Sequence, residues 1–215
     1  MGMPKAVLFD LDGVIVDTAK HHYIAWRALA NELGFEFTEH DNERLKGVSR
    51  MDSLNILLEV VGIELPDDKK ALLAEQKNEQ YVRAIKQMDT SDILPGVTDF
   101  LHALKEANIA FALGSASKNA PIILKNIGLL DAFDAIVDGN VISQAKPDPE
   151  VFLKGAKLLG VAPKDCVVFE DAQAGIDAGK NAGMYVVAVG DPEVLTGADD
   201  YIKDLSAMTL TRLEH

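Results

Sequence analysis

The sequence has little cysteine, a shortage of basic charge and no long apolar run. Its one cysteine, Cys166, rules out a disulfide within the chain and leads us to expect a cytoplasmic protein. The formal net charge of −13 argues against nucleic acid or an anionic membrane as a partner, because both require a basic surface. No apolar stretch approaches the roughly 20 residues of a membrane span, and we expect no signal peptide. An anionic ligand would therefore have to be held by a few placed cations.

The sequence does have enough apolar residues for a folded core. Hydrophobic residues make up 48% of its 215 positions, enough for one substantial core and a second small one. The first apolar run, Ala6–Phe9, predicts a strand that is buried on both faces. Asp10 and Asp12 follow it, two residues apart, so both can point to one site at the carboxyl end of the strand. One carboxylate could act as a nucleophile while the other moves a proton, although an acidic, solvated turn is the alternative.

The pattern of the chain changes near residue 92. Helices are predicted from Thr18 to residue 33, at 51–61 and from 67 to about 88, with no convincing strand among them. Later strands at 109–113, 133–137, 166–169, 185–189 and 201–202 alternate with helices at 97–106, 120–127, 150–159 and 172–181. This alternation predicts an α/β fold, with a doubly wound, Rossmann-like parallel sheet. We expect a core domain of residues 1–16 and 92–215, and an inserted all-helical cap domain of residues 17–91.

Two later strands lead into residues that could hold a phosphoryl group. The strand at 109–113 runs into Ser115, whose hydroxyl, next to free N–H groups at a helix start, suits a phosphate oxygen. An ordinary capped helix would look the same. Lys146 precedes Pro147 just ahead of a helix and could bridge an attacking carboxylate and a phosphoryl group. A solvated loop lysine is the alternative there.

A fourth strand end carries two further acids, Glu170 and Asp171. Alone, they could simply cap the helix that follows. Together with Asp10 and Asp12 they bring up to four carboxylates to one edge of the sheet, where they would repel one another unless a divalent cation lay among them. Oxygen ligands suit Mg²⁺, and a bound phosphoryl group would add further oxygens. Four separate segments thus supply a nucleophile, a hydroxyl, a lysine and further acids. This combination favours a functional site over coincidence.

In their order and spacing, these motifs resemble those of the haloacid dehalogenase superfamily of phosphoryl-transfer enzymes. The matching residues are Asp10-Leu11-Asp12-Gly13, Ser115, Lys146 with Pro147, and Glu170-Asp171. The resemblance implies that Asp10 becomes a covalent aspartyl phosphate and that Asp12 is the general acid and base. It also implies that Ser115 and Lys146 hold the phosphoryl group. The implied Mg²⁺ ligands are Asp10, Glu170, Asp171 and the main-chain carbonyl of Asp12.

The helical region contains candidates for choosing the substrate. His22 lies one turn before Trp26, where a buried histidine is common, and Lys77 lies in an apolar stripe, where a snorkelling lysine is usual. The loop Lys46-Gly47-Val48-Ser49-Arg50 has a glycine that permits close backbone approach and two cations that could grip a second phosphate. A surface loop would look much the same.

Taken together, these residues resemble the cap of the β-phosphoglucomutase family. The resemblance implies that Arg50 binds a distal phosphate near Ser117 and Lys118. It also implies that His22 and Lys77 position Asp12 and the sugar, and that Thr18 protects against premature hydrolysis. The other implied substrate contacts are Trp26, Lys46, Gly47, Val48, Ser49, Ala116 and Asn119.

The implied activity is that of a monomeric isomerase. It would interconvert β-D-glucose 1-phosphate and β-D-glucose 6-phosphate through β-glucose 1,6-bisphosphate. A phosphatase acting on sugar phosphates by the same core chemistry remains an alternative. A catalytically silent sugar-phosphate sensor is disfavoured, because such a protein should have lost a catalytic carboxylate or the lysine.

Overall fold

A computed structural model, which describes residues 2–46 and 48–214, contains a six-stranded parallel sheet. The strands are β1 (Ala6–Phe9), β2 (Ala110–Gly114), β3 (Ala135–Val137), β4 (Cys166–Glu170), β5 (Tyr185–Val189) and β6 (Asp200–Ile202). Their order is β3-β2-β1-β4-β5-β6, and each neighbouring pair is parallel. The predicted α/β fold is therefore confirmed. Because β1 lies between β2 and β4, the carboxyl ends of these three strands meet where the strand order reverses.

The structure describes eight α-helices. They are α1 (Ala19–Glu32), α2 (Glu39–Glu43), α3 (Arg50–Val61), α4 (Asp67–Ile85), α5 (Val97–Glu106), α6 (Ala120–Asn126), α7 (Glu150–Leu159) and α8 (Gln173–Asn181). Short 3-10 turns lie at Thr90–Asp92, Pro163–Asp165, Leu205–Ala207 and Thr211–Leu213. None of the described helices is both long and apolar enough to cross a bilayer.

Two element boundaries differ from the predicted ones by more than one residue, and one helix was not predicted. Helix α4 ends at Ile85, three residues before the predicted end, and β3 begins two residues later than predicted. Helix α2 was not predicted because its five residues are too few to show a helical period. A capping box between Thr38 and Asp41 begins this helix and was the available sequence signal.

Strand β1 separates the two layers of the core. Val7 and Phe9 pack into the hydrophobic cluster formed with α5 and α6, whereas Ala6 and Leu8 pack into the cluster formed with α7 and α8. All four side chains are buried, as expected for alternating positions of a central strand covered on both faces.

The region between β1 and α5 has a hydrophobic cluster of its own. Trp26 and Leu29 of α1 pack with Leu54 and Leu57 of α3. The two segments that connect this region to the sheet run side by side, since the Leu94 N–H donates to the Ile15 carbonyl at 2.9 Å. A bridge between Val16 and Ile93 extends this contact. The helical region therefore enters and leaves the α/β part of the chain at one place.

Candidate active site

Lys146 lies at the centre of the site and contacts the ends of three strands. Its Nζ donates to Asp10 Oδ1 at 2.6 Å, to the Gly114 carbonyl at 3.1 Å and to Glu170 Oε1 at 3.4 Å. Burial alone lowers the pKa of Lys146, but the carboxylates of Asp10 and Glu170 raise it above the ordinary lysine value. Lys146 is thus a buried cation that offsets the repulsion between the two acids, and the alternative of a solvated loop lysine is wrong.

Three carboxylates beside Lys146 are arranged to hold a cation. Asp10, Glu170 and Asp171 each offer an oxygen, and these oxygens lie within 4.8 Å of one another. Burial raises the pKa of all three acids, that of Asp171 to about 8. Among the described residues, the buried Oε2 of Glu170 has no hydrogen-bond partner. These carboxylate oxygens are buried away from water, and one of them has no hydrogen-bond partner. A hard divalent cation fits such a group, because it would supply the interactions that the oxygens lose on burial.

Two glycines leave room for two of these acids, Asp171 and Glu170. A Cβ on Gly13, whose φ is +80°, would lie 2.0 Å from Asp171 Oδ2. A Cβ on Gly175, in the first turn of α8, would lie 1.9 Å from Glu170 Cδ. The backbone therefore packs directly against both carboxylate groups and restricts where they can point.

The loop after β2 forms a second side of the site. Ser115 is buried, and its Oγ accepts a hydrogen bond from the Ser117 N–H at 3.1 Å. Ser117 Oγ in turn accepts from the Asn119 N–H at 3.2 Å. The Asn119 side chain donates across to Asn78 Oδ1 on α4 at 2.8 Å. Ser115 can still donate its own hydroxyl proton, as the predicted phosphate contact requires.

Asp12 faces the helical region rather than the group of three acids. Its Oδ2 lies 3.8 Å from His22 Nε2 on α1. His22 Nδ1 lies 3.0 Å from the Nζ of Lys77 on α4, and the His22 ring stacks on Tyr81 with centroids 4.0 Å apart. The Lys77 ammonium also lies 4.4 Å from the centre of the Trp26 ring. While Lys77 is protonated it can only donate, so in that state His22 Nδ1 accepts and the Nε2–H points toward Asp12.

Burial changes the charge of this histidine and lysine. Lys77 is 4% exposed, so the alternative of a snorkelling lysine is wrong. Desolvation and the neighbouring Arg50 cation lower its pKa to about 7. Desolvation and Lys77 likewise lower the pKa of His22. The pair therefore offers Asp12 a neutral imidazole N–H and a lysine that titrates near physiological pH.

Thr18 lies one residue before α1 and does not cap the helix with its side chain. Its backbone is already close to helical, with φ −103° and ψ −4°, so the hydroxyl is not turned toward the free N–H groups. The Thr18 hydroxyl, the Tyr81 hydroxyl and Asp12 Oδ1 are all buried without a hydrogen-bond partner among the described residues. Sequence reasoning missed Tyr81 because its position in an apolar stripe is typical of a core residue.

The loop before α3 presents its cations to the same space. Lys46 pairs with Glu43 at 2.9 Å, and Arg50 pairs with Glu75 of α4 at 3.4 Å. Ser49 begins α3 by accepting a hydrogen bond from the Asp52 N–H at 3.2 Å. Gly47, also a predicted substrate contact, lies outside the described residues.

These groups surround a cavity of about 660 Å³ between the sheet edge and the helical region. The predicted residues that line it are Asp10, Asp12, His22, Trp26, Lys46, Val48, Ser49, Arg50, Lys77, Ser115, Ala116, Ser117, Lys118, Asn119 and Asp171. Thr18, Lys146 and Glu170 lie behind this lining. The cavity also includes Asn78 and Glu75. Sequence reasoning missed Glu75, because a single polar residue on a helix carries no signal.

Comparisons with known proteins agree with this geometry. Residues 4–183 match the model of the haloacid dehalogenase-like hydrolase family. The chain is 44% identical to a β-phosphoglucomutase of Bacillus subtilis, over 97% of this chain and 93% of that protein. It is 33% identical to a phosphorylated carbohydrates phosphatase of Thermotoga maritima, over 84% of this chain and 82% of that protein. A crystal structure of β-phosphoglucomutase from Clostridium difficile superposes with a TM-score of 0.94 at 43% identity, covering 98% of this chain and 96% of that one.

Proposed function

The chain belongs to the haloacid dehalogenase-like hydrolase family, and we propose that it acts there as a β-phosphoglucomutase. It would be an isomerase that interconverts β-D-glucose 1-phosphate and β-D-glucose 6-phosphate through β-glucose 1,6-bisphosphate. The observation that carries this proposal is a chain of contacts that starts at Asp12. Asp12 Oδ2 lies 3.8 Å from His22 Nε2, and His22 Nδ1 lies 3.0 Å from Lys77 Nζ. Asp12, the proposed general acid and base, thereby contacts residues of the helical region that we propose to bind the sugar.

The proposed chemistry divides between two carboxylates. Asp10 attacks a phosphorus of the bisphosphate, the bond to the sugar oxygen breaks, and Asp12 gives its proton to that oxygen. The reverse step then occurs at the other end of a glucose monophosphate, whose hydroxyl attacks phospho-Asp10 while Asp12 takes the proton. Ser115 and Lys146 hold the phosphoryl oxygens during both steps.

We propose Mg²⁺ as the cation of this site. Asp10, Glu170, Asp171 and the main-chain carbonyl of Asp12 would hold it, an oxygen-only set that suits this ion. When bound, it would neutralise charge on the transferring phosphoryl group.

The helical region, residues 17–91, is proposed to be a cap domain over a core of residues 1–16 and 92–215. Arg50 would bind the distal phosphate with Ser117 and Lys118 close by, and Thr18 would help to keep Asp12 from activating water. Closure of the cap would exclude water from phospho-Asp10. The paired connecting segments near Ile15 and Leu94 support a hinge there. We propose that the protein is a monomer, because the cap must be free to move, and that it lies in the cytoplasm.

The main alternative is a phosphatase that uses the same core residues. It is supported by the 33% identity to the Thermotoga phosphatase. In that case water, rather than the sugar hydroxyl, would accept the phosphoryl group from Asp10.

Product analysis separates the two functions. The chain is supplied with Mg²⁺, β-glucose 1-phosphate and a trace of β-glucose 1,6-bisphosphate, and the products are followed by ³¹P NMR. We expect glucose 6-phosphate with little inorganic phosphate, and no turnover by Asp10→Asn. Stoichiometric release of inorganic phosphate would favour the phosphatase, and turnover by Asp10→Asn would contradict the proposed chemistry. Other β-sugar 1-phosphates tested in parallel would define the sugar.

A further inference from the structure

Glu75 lies on the cavity wall beside the cation proposed to bind the distal phosphate. Its Oε2 is 3.4 Å from Arg50 Nη1, and its Oε1 accepts from the Asn78 side chain at 3.5 Å. Asn78 also accepts the 2.8 Å hydrogen bond from Asn119. All four residues line the same cavity. An acid thus occupies the wall where the proposed ligand carries its second negative group.

The surroundings of Arg50 are balanced in charge. The Arg50 cation is close enough to Lys77 to help lower its pKa. It also pairs with the Glu75 carboxylate. The Arg50 side chain is 23% exposed and that of Glu75 is 60% exposed, so solvent and an incoming anion can both reach the pair. A phosphate that binds Arg50 must therefore displace Glu75 or sit beside its negative charge.

We propose that Glu75 competes with the distal phosphate for Arg50 and so weakens the hold of the cap on the bisphosphate. This inference rests on the proposed function. In that reaction the bisphosphate must release one end and return with the other facing Asp10, and each exchange frees the distal phosphate from Arg50. A carboxylate that takes the place of the phosphate favours this exchange, whereas an unopposed Arg50 would retain the ligand.

The change Glu75→Gln tests this role because it keeps the length and hydrogen-bonding capacity of the side chain and removes its charge. Exposed ion pairs are worth about 0.2–1 kcal/mol, so we expect about 1.4- to five-fold tighter binding of the bisphosphate. The gain should fade at high ionic strength, because the repulsion it relieves is screened.

Glu59→Gln is the matched control. Glu59 Oε1 lies 3.4 Å from Arg44 Nη2, the same separation as in the Glu75 pair, and is also on a cap helix. Neither Glu59 nor Arg44 lines the cavity. The control therefore changes the net charge of the chain by the same amount without changing the proposed phosphate site.

The comparison is made in an Asp10→Asn background, where the ligand binds without being turned over. Isothermal titration with β-glucose 1,6-bisphosphate and Mg²⁺ is performed on this parent, on its Glu75→Gln derivative and on its Glu59→Gln derivative. Tighter binding in the Glu75→Gln derivative alone supports the inference. Equal or weaker binding there, or an equal gain in both derivatives, overturns it. Turnover by the unmodified chain is the separate test of the proposed function, so the two failures are distinguishable.

Discussion

At the scale of single residues, two buried lysines show how the same side chain acquires opposite properties. Lys146 contacts two carboxylates, which raise its pKa and keep it charged. Lys77 instead lies against the rings of Trp26 and Tyr81, with Arg50 nearby, and its pKa falls to about 7. Lys146 stays charged and is therefore suited to bind a phosphoryl group. Lys77 can change charge when a ligand alters its surroundings.

Replacement of Lys77 by methionine should stabilise the protein in a pH-dependent way. The pKa of Lys77 falls from 10.5 to about 7 on folding, so the unfolded chain binds more protons between those values and stability rises with pH across that window. Below this window the full cost of the buried charge is present. We expect Lys77→Met to raise the free energy of unfolding on the order of 2–4 kcal/mol at about pH 6.

Urea unfolding at about pH 6 and about pH 10 measures this difference. The gap between variant and parent should shrink at the higher pH, where the lysine of the folded chain is already neutral. Lys86→Met, at an exposed position directly after α4, is the control and should show no such trend. A gap for Lys77→Met that stays the same at both pH values would contradict the assigned pKa.

At the scale of elements, α8 contributes to the site through a glycine, Gly175, whose lack of a side chain leaves room for Glu170. Its first turn brings the backbone of Gly175 against the carboxylate of Glu170, while Gly179 on the next turn faces the apolar side chains of Val186 and Val168. Gly175 thus permits close packing against a charged group, and Gly179 permits close packing against apolar side chains. Gly175 therefore limits where the Glu170 carboxylate can lie, and Gly179 lets α8 pack closely on the sheet.

Alanine at these two positions should separate metal binding from stability. Gly175→Ala should weaken Mg²⁺ binding by about 10–100-fold, as is typical when a residue that orients a metal ligand is changed. Gly179→Ala, whose Cβ would lie 2.7 Å from Val186 Cγ2, should instead cost about 1–3 kcal/mol of stability and leave Mg²⁺ affinity intact.

Calorimetric titration with Mg²⁺ and thermal unfolding provide the two readouts. The double variant Glu170→Asp with Gly175→Ala should recover part of the lost affinity, because the shorter acid makes room for the new methyl group. Unchanged Mg²⁺ affinity in Gly175→Ala would show that the glycine does not position Glu170.

At the scale of the whole molecule, the sequence predicted the sheet and the meeting of acidic residues at one of its edges, because both depend on local patterns. Apolar runs that end in acids identified β1 and β4, and parallel strands necessarily bring their carboxyl ends together. The contacts between distant elements were not predictable in this way. The Arg50–Glu75 pair and the stacking of His22 on Tyr81 depend on how α1, α3 and α4 pack, and polar or aromatic residues on helices give no local sign of that.

The central claim is that Asp10 carries a phosphoryl group between two oxygens of a sugar phosphate and protects it from water. The most direct test is to load the chain with ³²P-labelled β-glucose 1,6-bisphosphate, remove free ligand and follow the label. We predict that it resides on the peptide containing Asp10 and passes to added β-glucose 1-phosphate much faster than to water. Label on another residue, or release as inorganic phosphate at the same rate with and without the sugar phosphate, would contradict the account.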